Sequence, residues 1–172
     1  MIPRGEKEVI ESLLAAGHEP AVRRFDLKTE TAESSAAALG VEVARIVKSL
    51  VFSAQGEPAV ALIPGNRRAD MRAVARILGV KKVRMADPQM VQEWTGFTVG
   101  AVPPVGHLRQ IPVLMDEGIP RDGDIYPAAG ENNNAFQTSF EMLQKLTNAK
   151  VCSISKVVNP STGSGQAVNG EQ

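Results

Sequence analysis

The sequence predicts a mixed α+β domain with a largely antiparallel sheet, and three observations carry the prediction. A long apolar strand, Arg45 to Ala54, turns at Gln55-Gly56-Glu57 and runs back from Pro58 to Ile63 as a hairpin. Helical and extended patterns alternate irregularly, without the regular βαβ order of a doubly wound sheet, which is the weaker alternative. The 172 residues are 43% hydrophobic and 22% charged, an ordinary globular composition that can bury a core without disulfides or a structural metal.

In chain order, Val9, Ile10, Leu13 and Leu14 repeat at helical spacing, predicting a helix from about Glu6 to Ala16 that stops at Gly17. A short extended piece, Ala21 to Leu27, follows Pro20, and a second helix runs from a Thr31 cap to Gly40. The hairpin comes next and closes at Pro64-Gly65. Met71, Val74, Ala75 and Leu78 mark one face of a third helix ended by Gly79, and Lys81 to Met85 reads as a strand. Asp87-Pro88 starts a fourth helix, a capping residue followed by proline at the first helical position, carrying Val91 and Trp94 to Gly96. Gly100 to Gly106 holds too much glycine and proline for regular structure and must be a shaped loop. Ile111 to Met115 and Ile125 to Ala129 read as strands, Gly130 to Asn134 as a polar break, and Ala135 to Thr138 as a further strand. Ser139 caps a last helix through Leu143 and Leu146, and Val151 to Ile154 closes the folded part. One domain is expected over residues 1–156, with a flexible tail over 157–172 where Ser, Thr, Gly, Gln and Asn dominate.

Several function classes drop out. No apolar run approaches the length of a membrane-spanning helix, and the amino terminus lacks the apolar core of a secretory signal. A single cysteine, Cys152, cannot form an internal disulfide, so a reducing cytoplasm is the expected setting. Nitrogen and sulfur ligands are limited to His18, His107 and Cys152, without close spacing, so neither a metal nor a cofactor is expected. Nucleophile-elbow, phosphate-loop and dinucleotide fingerprints are missing. Either histidine reads as a packing or surface residue, and Cys152 as a buried structural thiol.

Charge balances at 19 basic against 19 acidic residues, yet it is unevenly spread. Between Arg67 and Arg84 seven cations stand against Asp70 alone. Such a stretch attracts phosphates or forms a solvated helix face.

Three places carry candidate chemistry. Period-two alternation sets Lys48 beside Ile46, Leu50 and Phe52, while Val47 and Val51 occupy the other face, so both faces look buried. A lysine there either snorkels from the sheet edge or holds its ammonium in a cleft to bind an anion or polarise a carbonyl. The loop Gly100 to Gly106, with Pro103 and Pro104, lets a ligand approach main-chain amides or serves as a rigid connector. Ala128 to Asn134 either lines a pocket or makes a polar turn.

Taken in order, these segments resemble a known family. Thr31-Ala32-Glu33, Arg45 to Phe52 and Ala61 to Arg68 are similar to the opening of the YbaK/ProX family. The likeness continues through Leu78 to Ala86, Gly96 to Gly106 and Ala128-Ala129-Gly130. These are aminoacyl-tRNA deacylases related to the editing domain of bacterial prolyl-tRNA synthetase. The resemblance implies a mixed, largely antiparallel, partly curled sheet flanked by helices, with a cleft for the 3′ end of a mischarged tRNA. It implies a trans-editing hydrolase that removes alanine or cysteine from proline tRNA, with prolyl-tRNA synthetase as a further partner. The family's lysine falls on Lys48, expected to grip the terminal phosphate or the ester. Its Gly-Pro loop falls on Gly100, Pro103, Pro104 and Gly106, and its small-residue motif on Gly130, expected to leave room for the amino acid. Where many relatives have a Ser/Gly/His-containing turn, this chain has Glu131-Asn132-Asn133-Asn134, so no histidine is carried over and Asn134 stands as the substrate-contact candidate. The alternative is a non-hydrolytic tRNA- or synthetase-binding module of the same fold.

Overall fold

Ten strands and five helices follow one another in a computed structural model that describes residues 2–26 and 31–158. They are α1 (Glu6–Ala15), β1 (Val22–Arg24), α2 (Ala32–Leu39), β2 (Ile46–Ala54), β3 (Glu57–Pro64), β4 (Arg67–Ala69), α3 (Met71–Leu78) and β5 (Arg84–Met85). After these come α4 (Pro88–Thr95), β6 (Val113–Asp116), β7 (Tyr126–Pro127), β8 (Asn134–Phe136), α5 (Phe140–Thr147), β9 (Lys150–Cys152) and β10 (Ser155–Val157). Three helix starts are those the capping residues Thr31, Asp87 and Ser139 signal, and Asp70 caps a further one. Thr31, Asp70, Asp87 and Ser139 each accept a hydrogen bond from the amide of the third residue beyond.

The β2–β3 hairpin forms the centre of a six-stranded sheet. Its two-residue turn, Gln55-Gly56, has φ of 54° and 88°, the paired positive values of a type I′ turn, whose twist matches that of its strands. Alternation then divides the hairpin's side chains. Val47, Val51, Val60 and Leu62 pack on one face with Val9 and Leu13 of α1, Val91 of α4 and Leu143 of α5. Leu50, Phe52, Ala61 and Ile63 pack on the other with Ala73, Val74 and Ala75 of α3. Helix α2 sets Ala32 and Ala36 against Ile46 at the start of β2 and Tyr126 of β7 beside it.

The hairpin is antiparallel, but β6 joins β3 in parallel and β9 joins β6 in parallel. Each parallel partner returns after a long connection containing at least one helix, which such pairing requires. The sheet is therefore mixed and open, antiparallel at its centre and parallel toward β9. Two small antiparallel ribbons, β1–β8 and β4–β10, flank it. Val157, placed in the tail by composition, is the last residue of β10, where it pairs with Arg67. Residues 159–172 and Leu27 lie outside the described residues.

One irregularity matters for function. On the edge away from β3, strand β2 is paired only near its ends, with β7 at Ile46 and Val47 and with β5 at Phe52 and Ser53. Between them, Lys48, Ser49 and Leu50 have no strand alongside among the described residues, and the Val51 oxygen accepts from the Ala86 amide at 3.0 Å.

Candidate active site

A cleft of about 50 Å³ opens at this interrupted edge. Its walls come from the start of α2 (Thr31, Ala32, Ser35), from β2 (Lys48, Ser49), from Gly100 and Val102 of the shaped loop, and from the 126–135 segment. Of the residues singled out in the sequence, Lys48, Gly100 and Asn134 meet here.

Lys48 is 3% exposed, on the face that carries Leu50 and Phe52. Its ammonium donates to the main-chain oxygen of Arg67, at the start of β4. Burial pushes its pKa down from 10.5 to about 8, with the carboxylate of Glu33 opposing and the charge of Arg68 adding to the drop. Arg67 is itself tied down, its guanidinium donating to the hydroxyl and main-chain oxygen of Ser155. That hydroxyl donates in turn to the buried carboxylate of Asp116, 2.8 Å away. A chain of hydrogen bonds from Asp116 through β10 and β4 thus fixes the carbonyl that holds Lys48.

Ser49 was not singled out by the sequence reading, and it is the other unusual group. It is 4% exposed on the opposite face of β2 and lines the same cleft. Its Oγ has no hydrogen-bond partner among the described residues. A buried polar atom without a partner costs free energy unless something outside the fold meets it. The available signal was a serine inside a run of Ile, Val, Leu and Phe.

Asn134 is the reverse case. Its Oδ1 accepts from the amides of Ala129 (3.2 Å) and Glu131 (3.1 Å), and its Nδ2 donates to Glu6 Oε2 (2.9 Å) and to the Ala129 oxygen (3.3 Å). The whole capacity of the amide is spent inside the protein, on shaping the 129–134 turn and tying it to Glu6 of α1. Gly130 has φ of 98°, and a Cβ there would stand 2.7 Å from the main-chain carbon of Gly5. Its small size serves close contact with the start of α1, whereas the resemblance implied room for an amino acid. Glu131 joins this contact by accepting from the Glu6 amide at 2.9 Å.

The shaped loop divides in two. Gly100, with φ of 90°, and Val102 reach the cleft. Pro103 and Pro104 are buried, and the Pro103 oxygen bonds the His107 ring at 2.7 Å. Gly106 packs against α1, where an added Cβ would stand 3.3 Å from the Glu8 oxygen. These three residues set the loop's path beyond the cleft wall. Both histidines pack internally, His18 against Thr138 and Phe136, His107 against Phe97. Burial lowers the His107 pKa, though the Pro103 oxygen resists it. Cys152 is half-buried and burial raises its thiol pKa, so it is not a ready nucleophile. Among the described residues no cluster of three His, Cys, Asp or Glu could hold a metal, and no helix is long and apolar enough to cross a membrane.

Sequence comparison decides the family. The profile of the aminoacyl-tRNA editing domain matches residues 27–146. The chain belongs to this family. An Enterococcus faecalis protein provisionally named as a Cys-tRNA(Pro)/Cys-tRNA(Cys) deacylase, EbsC, is 34% identical over 125 residues, covering 72% of this chain and 76% of that protein. A proline–tRNA ligase of Nitratidesulfovibrio vulgaris is 41% identical over 76 residues, 44% of this editing-domain chain but 13% of the ligase. Among solved structures, a provisionally assigned trans-editing enzyme for prolyl tRNA synthetase superposes with a TM-score of 0.83 at 34% identity, covering 88% of this chain and 96% of that one. The matched segment takes in α2, the interrupted edge of β2 and the loop at Gly100, so the cleft lies within the editing domain.

Proposed function

We propose that this editing domain hydrolyses mischarged aminoacyl-tRNA in trans, with Ala-tRNA(Pro) or Cys-tRNA(Pro) as substrate. The carrying observation is the pair at the interrupted edge of β2, a buried ammonium at Lys48 and a Ser49 hydroxyl with no partner among the described residues, both lining one small cleft. The names of EbsC and of the trans-editing enzyme support the substrate class. A cavity of about 50 Å³ suits a small side chain.

An aminoacyl ester is already activated, so the protein's task is to hold it, admit water and stabilise the oxyanion. Lys48, still largely protonated at pH 7, draws the terminal phosphate or the ester carbonyl to the edge of β2. The Ser49 hydroxyl donates to the carbonyl oxygen or orders the attacking water. Gly100 lets the ester approach the main chain closely. Water adds to the carbonyl carbon and the bond to the ribose oxygen breaks. One proton passes to that oxygen and the other to solvent as the amino acid leaves as a carboxylate. The Glu131 carboxylate is engaged by the Glu6 amide and no histidine lines the cleft, which supports a ribose hydroxyl or the substrate amine as proton relay. Asn134 and Gly130 hold the wall in place.

The test is hydrolysis of proline tRNA carrying Ala, Cys, Ser, Thr or Pro, by the wild-type protein and by Lys48→Ala. Turnover of a mischarged species that the variant loses is the expected result. Tight binding of charged tRNA without ester cleavage would replace the reading with a non-hydrolytic binding module.

A further inference from the structure

Beyond Arg67 and Arg68, the basic stretch of the sequence has no part in the cleft chemistry, and the structure shows where it lies. Arg72 and Arg76 sit on the solvent side of α3, opposite the buried Ala73, Val74 and Ala75. Helix α3 lies over the Leu50 and Phe52 face of the hairpin, beginning just after β4. At its near end Arg68 acts electrostatically on Lys48, and at its far end Lys81, Lys82 and Arg84 surround a depression beside Ser53. Lys48 and Ser53 are five residues apart on β2, so the track is about 16 Å long.

Two features of this track work against stability. Lys156 is directly opposite Arg68 in the β4–β10 ribbon, a like-charge cross-strand pair. Arg72 and Arg76 are four residues apart on one helix, a like-charge pair as well. None of Arg68, Arg72, Arg76, Lys81, Lys82 and Lys156 is in an ion pair among the described residues, although Lys7, Arg24, Arg45, Arg109 and Lys145 all are. The one acid of the stretch, Asp70, is spent on capping α3 through the Ala73 amide. An arrangement of exposed cations that repel one another and lead to the cleft fits a polyanionic backbone.

We propose that this track docks the phosphates of the acceptor stem, so that the charged 3′ end reaches Lys48 from the Arg68 side. The proposal rests on the reading that the cleft acts on aminoacyl-tRNA, and it adds which surface carries the RNA. Backbone contacts of this kind supply affinity without sequence readout, leaving discrimination to the cleft.

Two charge-reversal pairs, Arg72→Glu with Arg76→Glu and Lys81→Glu with Lys82→Glu, test it. A third pair on another surface, Lys7→Glu with Lys145→Glu, is the control. Binding of uncharged proline tRNA is measured by fluorescence anisotropy between 50 and 300 mM salt. Deacylation kcat/KM is measured on charged tRNA and on an aminoacylated CCA trinucleotide that has no stem. Each track pair is expected to weaken tRNA binding and kcat/KM at least tenfold. It should flatten the log–log salt slope by about 1.5 and collapse the preference for tRNA over the trinucleotide. The control pair should do none of this. Unchanged tRNA affinity and salt slope in the track variants would overturn the proposal, as would failure of the wild-type protein to bind tRNA. Wild-type binding that the track variants lose, with no hydrolysis of either substrate, would keep the docking surface and remove the editing reaction.

Discussion

Two walls of the cleft face each other with opposite hydrogen-bond economies. The 129–134 wall is saturated, with every polar position of the Asn134 amide bonded inside the protein. The β2 wall is not, since Ser49 Oγ has no partner among the described residues. Folding alone favours the first condition and penalises the second. On the proposed function, the difference separates a wall that holds shape from a wall that meets the substrate, although residues of both line the same space.

Substitutions should break the two walls differently. Lys48→Ala is expected to lower deacylation at least about 100-fold, the scale of losing a positioned charge donor; single-turnover assays check this. Asn134→Ala should act through the fold, costing about 2–4 kcal/mol because the Ala129 and Glu131 amides lose their acceptor; urea unfolding reads it. Gly130→Ala should cost about 1–3 kcal/mol, from a strained φ and a clash with Gly5, and should also appear in urea unfolding. Ser49→Ala should leave stability unchanged or slightly raised and reduce deacylation about tenfold, the equivalent of one neutral hydrogen bond. If it destabilised the fold by more than it slowed the reaction, Ser49 would belong with Asn134.

The pH dependence sharpens the same contrast. The folded pKa of Lys48, about 8, lies below its ordinary 10.5, so the unfolded chain holds that proton more tightly. Its contribution to stability is therefore fully present above pH 10.5 and is lost as pH falls to about 8. Activity should run the other way, declining above pH 8 as the ammonium deprotonates. A pH series of melting temperatures and initial rates on the same preparation checks both signs.

Much of the scaffold was legible because local chemistry and tertiary structure agree there. The Gln55-Gly56 turn, the Thr31, Asp87 and Ser139 caps and the burial of both hairpin faces needed no long-range information. The β4–β10 ribbon was not legible, because Arg67-Arg68-Ala69 has no alternating apolar pattern and gains its strand character from a partner 88 residues away. The parallel pairing of β6 and β9 was hidden for a similar reason, since it depends on how long connections return. At the site, Lys48 stood out because a charge inside an apolar strand is unusual. Ser49 did not, because serine is common in such strands and only the missing partner makes it informative. Asn134 and Gly130 are also explained by partners remote in sequence, Glu6 and Gly5.

The most direct test of the central claim is to replace Lys48 with methionine, which keeps the length of the side chain and removes its charge. Hydrolysis of Ala- and Cys-tRNA(Pro) and thermal unfolding would be measured at pH 7 on the same samples. Relief of the buried charge should stabilise the fold by about 1–2 kcal/mol while deacylation is lost. A Lys48→Met protein that cleaves the ester at the wild-type rate would contradict the account.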